Sequence, residues 1–125
     1  MERVFTLDEA RALMPEVHLR AAQIVAVRAE LTERAAQLRA GERSELPGVK
    51  GLEAQLSEAL DWFAETGIDV KGWAPLLIDF PMRVAHRVVL VCWLENEPQL
   101  AWYHEVEHGF AGRRPLSTLA VDDPA

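Results

Sequence analysis

The sequence predicts an α+β fold: a long antiparallel helical hairpin packed on a small three-stranded antiparallel sheet. Two observations predict it. Apolar residues recur at helical spacing through the first half of the chain, and after Gly72 the pattern changes to short β-rich runs separated by turn residues. A third sets the scale: 125 residues suit one domain built on one sizeable core.

Thr6-Leu7-Asp8-Glu9 spells a capping box, with Thr6 as N-cap, Glu9 reaching back to it, and Phe5 placed to staple onto the first turn. Pro15 lies soon after this start, so a kink or a short first helix is expected there. Residues 16–39 hold no glycine or proline, and Ala10, Val17, Ile24, Leu31 and Leu38 recur every seven residues. That is a coiled-coil-like seam. Arg20, Arg28, Glu30, Glu33, Arg34 and Arg39 make the other faces mixed in charge and solvated.

Residues 41–48, with Pro47 near the end, read as the loop between two helices. Leu52, Leu56, Ala59, Leu60 and Phe63 mark one face of the second helix, and Gly67 supplies its stop. The hairpin therefore covers residues 6–66. A helix of about 25 residues is about 37 Å long, well beyond the ~14 Å radius of gyration of such a chain. Packing against another subunit is the expected consequence.

The sheet is expected within residues 75–106. Leu76-Leu77-Ile78-Asp79-Phe80 forms a strand ending at Pro81, and Val88-Val89-Leu90-Val91-Cys92-Trp93-Leu94, apolar on both faces, reads as the central strand. Leu100-Ala101-Trp102-Tyr103-His104 follows the turn Glu95-Asn96-Glu97-Pro98. A sheet apolar on both faces needs two covers, and one helical hairpin supplies one. Residues 1–116 are thus read as one domain and residues 117–125 as a disordered tail.

Composition narrows the function classes. Thirteen Lys and Arg against twenty Asp and Glu give a net charge of -7, which opposes nucleic acid and anionic lipid. Neither a signal-peptide pattern nor an apolar run of roughly 18 residues occurs, so a cytoplasmic protein without membrane contact is expected. Cys92 is the single cysteine, which rules out an intrachain disulfide, and its apolar neighbours Val91 and Trp93 predict a buried thiol.

His104-Glu105-Val106-Glu107-His108 spells the zinc-peptidase string H-E-x-x-H. That chemistry needs a helix to bring both rings to one face with the Glu as general base. A four-residue loop at 95–98 instead pairs Trp93 with Leu100, Val91 with Trp102 and Val89 with His104, which puts Glu105 on the face opposite His104. The string is read as a strand and its exit turn.

A second arrangement survives. A register pairing Asp79 with Val89 sets Asp79 in one row with His104, their Cα atoms about 10 Å apart, so that a metal, water or ligand would bridge them. A buried carboxylate needs a donor, which His104, Arg83, Arg87, Arg113 or Arg114 would supply. The candidate metal ligands are Asp79, His104, Glu105, Glu107 and His108, with a divalent metal as the implied cofactor. The candidate ligand-binding residues are Asp79, Arg113 and Arg114, since paired arginines grip carboxylate or phosphate. His18 and His86 are isolated and read as surface residues.

Phe5-Thr6-Leu7-Asp8-Glu9-Ala10, Leu77-Ile78-Asp79-Phe80-Pro81, Val91-Cys92-Trp93 and Trp102-Tyr103-His104-Glu105 occur in order, followed by Gly109-Phe110-Ala111-Gly112-Arg113-Arg114-Pro115-Leu116. Together they resemble the uncharacterised prokaryotic family catalogued as domain of unknown function 2203, over nearly the whole chain. The resemblance implies a His-acidic pair at His104 and Glu105. It implies no requirement for histidine at His108, so the zinc-peptidase spelling is a local variation.

Two functions are carried forward. The first is a self-associating interaction or assembly module, a homo-oligomer and by preference a dimer, resting on the seam and the two-sided central strand. The alternative is a metal- or small-ligand-dependent enzyme with its site around Asp79 and His104.

Overall fold

The computed structural model describes residues 3–41 and 46–119. In chain order the elements are α1 (Leu7–Arg39), α2 (Leu46–Thr66) and five strands, β1 (Asp69–Trp73), β2 (Leu76–Val84), β3 (Arg87–Leu94), β4 (Trp102–Glu105) and β5 (Arg114–Pro115). Short 3-10 turns at Phe110–Gly112 and Leu116–Thr118 flank β5. The backbone divides into two compact units, one of Met1–Pro15 with Phe63–Ala125, the other Glu16–Trp62. Among the described residues no helix is long and apolar enough to cross a membrane.

In the unit Glu16–Trp62, α1 and α2 run antiparallel. Arg34 of α1 lies over Gly48, where a Cβ would stand 2.6 Å from its guanidinium nitrogen, while Arg20 sits 5.5 Å from the ring centroid of Trp62. Val17, Ala21, Ile24 and Val27 are buried on α1, as are Val49, Leu52 and Ala59 on α2. The heptad positions Ala10, Val17 and Ile24 are therefore already covered within a single chain, whereas Leu31 and Leu38 keep partial exposure. α2 begins at Leu46, which corrects the expected loop of residues 41–48: Pro47 sits in the first turn, where its missing N–H costs no helical hydrogen bond. Residues 42–45 of that loop lie outside the described residues.

The other unit opens with the capping box. Glu9 N–H donates to Thr6 Oγ1 at 3.1 Å, and Thr6 N–H donates to Glu9 Oε1 at 2.8 Å. Replacing Thr6 by Ala removes one of these reciprocal bonds and is expected to cost about 1 kcal/mol, read as a shifted urea midpoint with an unchanged slope. α1 continues through Pro15 for 33 residues, so the short-helix alternative does not occur. α2 stops as the sequence foretold. Gly67 at φ 91° lets Ile68 N–H reach Phe63 O and Gly67 N–H reach Ala64 O, a Schellman closure that strains any residue with a Cβ.

The sheet is an antiparallel meander in the order β1-β2-β3-β4-β5, five strands rather than the three expected. β1 escaped notice because its side chains alternate between exposed and half-buried around a glycine, and a bulge interrupts its pairing near Lys71. β5 is two residues long, too short to leave a pattern. β2 also runs past Pro81 to Val84. Phe5 N–H donates to Pro81 O, so position 81 turns its backbone polar groups toward Phe5, and the ladder to β3 lacks nothing.

Both registers differ from those expected. Asp79 pairs with Cys92 rather than Val89, and His104 pairs with Leu90 rather than Val89. For β2 the cause is that the strand runs through Pro81 to Val84 and turns over just two residues, Ala85 and His86, into β3. For β4 the cause lies after β3: Glu97 folds back so that its Oε1 accepts Leu94 N–H at 2.8 Å and its carbonyl accepts Trp93 Nε1–H at 2.8 Å. With Asn96 at φ 81°, this lengthens the connection to residues 95–101, and β4 starts at Trp102 instead of Leu100. Each slip is an odd number of residues, so each moves its strand to the other face of β3.

One sheet face thus carries Ile78, Phe80, Met82, Val89, Val91, Trp93 and Tyr103, with Phe5 meeting Phe80 edge-on at 5.3 Å. The other carries Asp79, Pro81, Leu90, Cys92, Trp102 and His104. Over that face Arg113 lies 4.9 Å from the Trp102 ring centroid and 4.5 Å from that of Phe110. Gly112 permits the fold-back, since a Cβ there would stand 2.6 Å from His108 Cβ. Leu116 and Leu119 are buried, the latter inside the stretch read as a tail; residues 120–125 of that tail lie outside the described residues.

Candidate metal centre

Three adjacent strands each give one side chain to a buried cluster. Asp79 of β2 is 1% exposed, Cys92 of β3 0% and His104 of β4 4%. Asp79 stands across from Cys92, and His104 reaches diagonally over the central strand. Its Nε2 lies 3.3 Å from both carboxylate oxygens. Direct contact replaces the bridged row expected from the sequence. One donor atom from each residue, carboxylate oxygen, Sγ and ring nitrogen, lies within 4.8 Å of the others.

The imidazole is oriented by its other nitrogen, with Nδ1 2.9 Å from Glu105 O. A carbonyl only accepts, so Nδ1 carries a proton and Nε2 is left to face the carboxylate. Metal-binding histidines are held in this way. The 3.3 Å separations are long for a charge-assisted hydrogen bond, which closes to about 2.7–2.9 Å, and neither oxygen is preferred. Two donors about 2.1 Å from one tetrahedral ion stand about 3.4 Å apart. The spacing therefore matches an edge of a coordination shell better than a proton bridge.

Burial pushes the Asp79 carboxyl above its ordinary range, an effect that His104 and Lys71 only partly oppose. Burial likewise pushes the Cys92 thiol up, partly offset by the guanidinium of Arg113. Both groups resist ionising without a cation. A thiolate and a carboxylate together carry two negative charges, which one divalent ion neutralises.

Nucleophilic thiol chemistry is poorly served. A Cys-His pair needs a ring nitrogen facing sulfur, whereas both nitrogens of His104 are committed elsewhere and the thiol is held in its protonated form.

Beside the cluster, Arg113 donates from Nη1 to Glu97 Oε2 at 2.8 Å and from Nη2 to Glu97 Oε1 at 3.0 Å. Burial alone would raise the Glu97 carboxyl. Hydrogen bonds from Arg113 and Leu94 N–H, with the Arg113 charge, outweigh it and hold the carboxyl low. A carboxyl depressed on folding adds stability above its unfolded value of about 4.5, lost as pH falls through the lower folded value. Replacing Glu97 by Gln is therefore expected to flatten the acid limb of stability below about pH 5, and urea melts across pH check it.

The remaining sequence candidates stand apart. Glu105 pairs with Val89 on the opposite sheet face and grips Arg87 through bonds of 3.0 and 3.1 Å, which hold its carboxyl low. Glu107 and His108 are exposed in the turn after β4, so the H-E-x-x-H string is strand and turn, as read. Arg114 pairs with Tyr103 in β5, and its charge acts on Glu105; it does not share an anion grip with Arg113. His18 and His86 are exposed.

Cys92 is the member of the cluster that the candidate metal ligands read from the sequence leave out. It was rightly placed as buried, but the slipped register turned it to the face away from Asp79. The signal lies in Met82-Arg83-Val84, which continue β2 past Pro81 to a two-residue turn at Ala85-His86 and so bring Cys92 opposite Asp79.

No curated protein and no solved structure matches the chain. A family model does match, over residues 3–116, and it takes in every strand and all three clustered side chains. The chain belongs to the family described as uncharacterized conserved protein (DUF2203).

Proposed function

We propose that this protein binds a divalent transition metal of the zinc class through Asp79, Cys92 and His104. The observation that supports it is the meeting of carboxylate, thiol and imidazole donors within 4.8 Å in a buried place. One sulfur, one nitrogen and one oxygen donor suit zinc or cobalt and disfavour magnesium and calcium, which take oxygen shells. Three protein donors leave a fourth position for water or an added ligand.

Elemental analysis of protein purified without a histidine tag tests the reading. About one zinc-class ion per chain is expected. A metal-free protein that takes up none on dialysis against zinc overturns it.

Self-association is favoured by a separate observation on α1. Leu19 is 55% exposed, and Leu31 and Leu38 continue the heptad spacing with partial exposure. Light scattering at micromolar concentration is expected to give a dimer, and substitution of Leu31 and Leu38 by Glu a monomer; a wild-type monomer excludes it.

A further inference from the structure

Arg113 is held on almost every side. Its two terminal nitrogens donate to Glu97, its guanidinium lies over the rings of Trp102 and Phe110, and its side chain is 16% exposed. Glu97 is itself tied to Leu94 N–H, at the end of the strand that carries Cys92. The whole group is anchored to β3. Yet Arg113 Nε is buried with no hydrogen-bond partner among the described residues.

A buried N–H without an acceptor is costly to maintain, and fixed structures rarely leave one without a use. The guanidinium lies over Trp102, the residue paired directly with Cys92 across the β3–β4 ladder, and its charge acts on the Cys92 thiol. A protonated thiol is a weak acceptor, whereas a metal-bound thiolate is anionic and a far better one. The donor is in place before the acceptor becomes strong.

We propose that Arg113 is a positioning residue for the metal centre, its Nε–H reserved for the Cys92 sulfur that the metal holds as thiolate. This rests on the reading of Asp79, Cys92 and His104 as the ligands. The Nε–H···S bond draws charge from the sulfur, steadies its orientation toward the ion, and links the ion to Glu97 and the 95–101 connection. Lysine at position 113 keeps the charge but cannot offer the planar fork that serves Glu97 and sulfur together.

Cobalt(II) titration of the full chain tests it, because the thiolate-to-cobalt charge-transfer band reports electron density on sulfur. The wild type is expected to bind one cobalt with that band in the near ultraviolet. R113K is expected to bind about 10–100-fold more weakly, as when a hydrogen-bond partner of a metal ligand is removed, with the band moved to longer wavelength. E97Q keeps the guanidinium while loosening its anchor, and a smaller change in the same direction is expected.

A wild-type band with R113K unchanged in both affinity and wavelength overturns the role of Arg113 and leaves the metal site standing. Absence of the band in the wild type overturns the site itself, and this role with it. If circular dichroism shows R113K unfolded, E97Q decides: an unchanged band and affinity there overturn the inference.

Discussion

Zinc added to the metal-free protein at about one hundred times its dissociation constant is expected to raise the melting temperature by roughly 10 °C. Binding to the folded state alone adds about 2.7 kcal/mol at that excess, and each kcal/mol moves the midpoint by about 4 °C in a chain of this size. Magnesium is expected to do nothing, because sulfur and imidazole donors do not serve it. Cys92→Ala and Asp79→Asn are expected to abolish the zinc response. The second variant is the more informative. The amide that replaces the carboxylate donates to Nε2 of His104 and carries no charge to bury, so the metal-free variant is expected to be no less stable than the wild type. Stability kept while the zinc response is lost marks Asp79 as a ligand rather than a structural carboxyl. Differential scanning fluorimetry checks both variants.

The second large effect is expected from His104→Ala. It removes the partner of a carboxyl that is 1% exposed, and breaking a buried pair from one side costs about 3 kcal/mol or more at neutral pH. The effect has a sign in pH. Asp79 is raised above its unfolded value of 3.8, so its favourable contribution is full below about pH 3.8 and is lost as pH rises through the folded value. His104 softens that loss by stabilising the charged form, and its removal leaves the loss uncompensated. The deficit of the metal-free variant should therefore be greatest at pH 7–8 and shrink toward pH 4, read from urea melts of both proteins. A deficit independent of pH would mean that only packing was lost.

How far the sequence revealed this molecule depends on the range of the interactions concerned. The capping box at Thr6 and Glu9, the helical face through Leu52 and Phe63, and the stop at Gly67 are set by neighbours within a turn or two, and each was legible. The central strand was legible because it is apolar on both faces. Register was not, because for β4 it depends on how Glu97 folds onto Leu94 and Trp93, a side-chain event that no apolar alternation records. For β2 it depends on the strand running on through Pro81 to a two-residue turn at Ala85 and His86. The two register slips, both odd, moved Asp79 and His104 together. Their shared face was thus foreseen, while Cys92 was turned away from them. β1 and β5 were missed for the opposite reason: half-exposed or two residues long, they gain their conformation from the strands they pair with.

The same logic separates the cluster from the string that first draws the eye. His104 belongs to the centre because the strand carries it to the face of Asp79 and Cys92. Glu105 leaves it because the next residue of a strand faces the other way.

X-ray absorption at the zinc edge of the loaded protein tests the central claim most directly. One sulfur neighbour at about 2.3 Å with nitrogen and oxygen neighbours at about 2.0–2.2 Å is expected, and the sulfur shell should vanish in Cys92→Ala. A shell of nitrogen and oxygen alone in the wild type would contradict it, and would place any bound zinc away from Cys92.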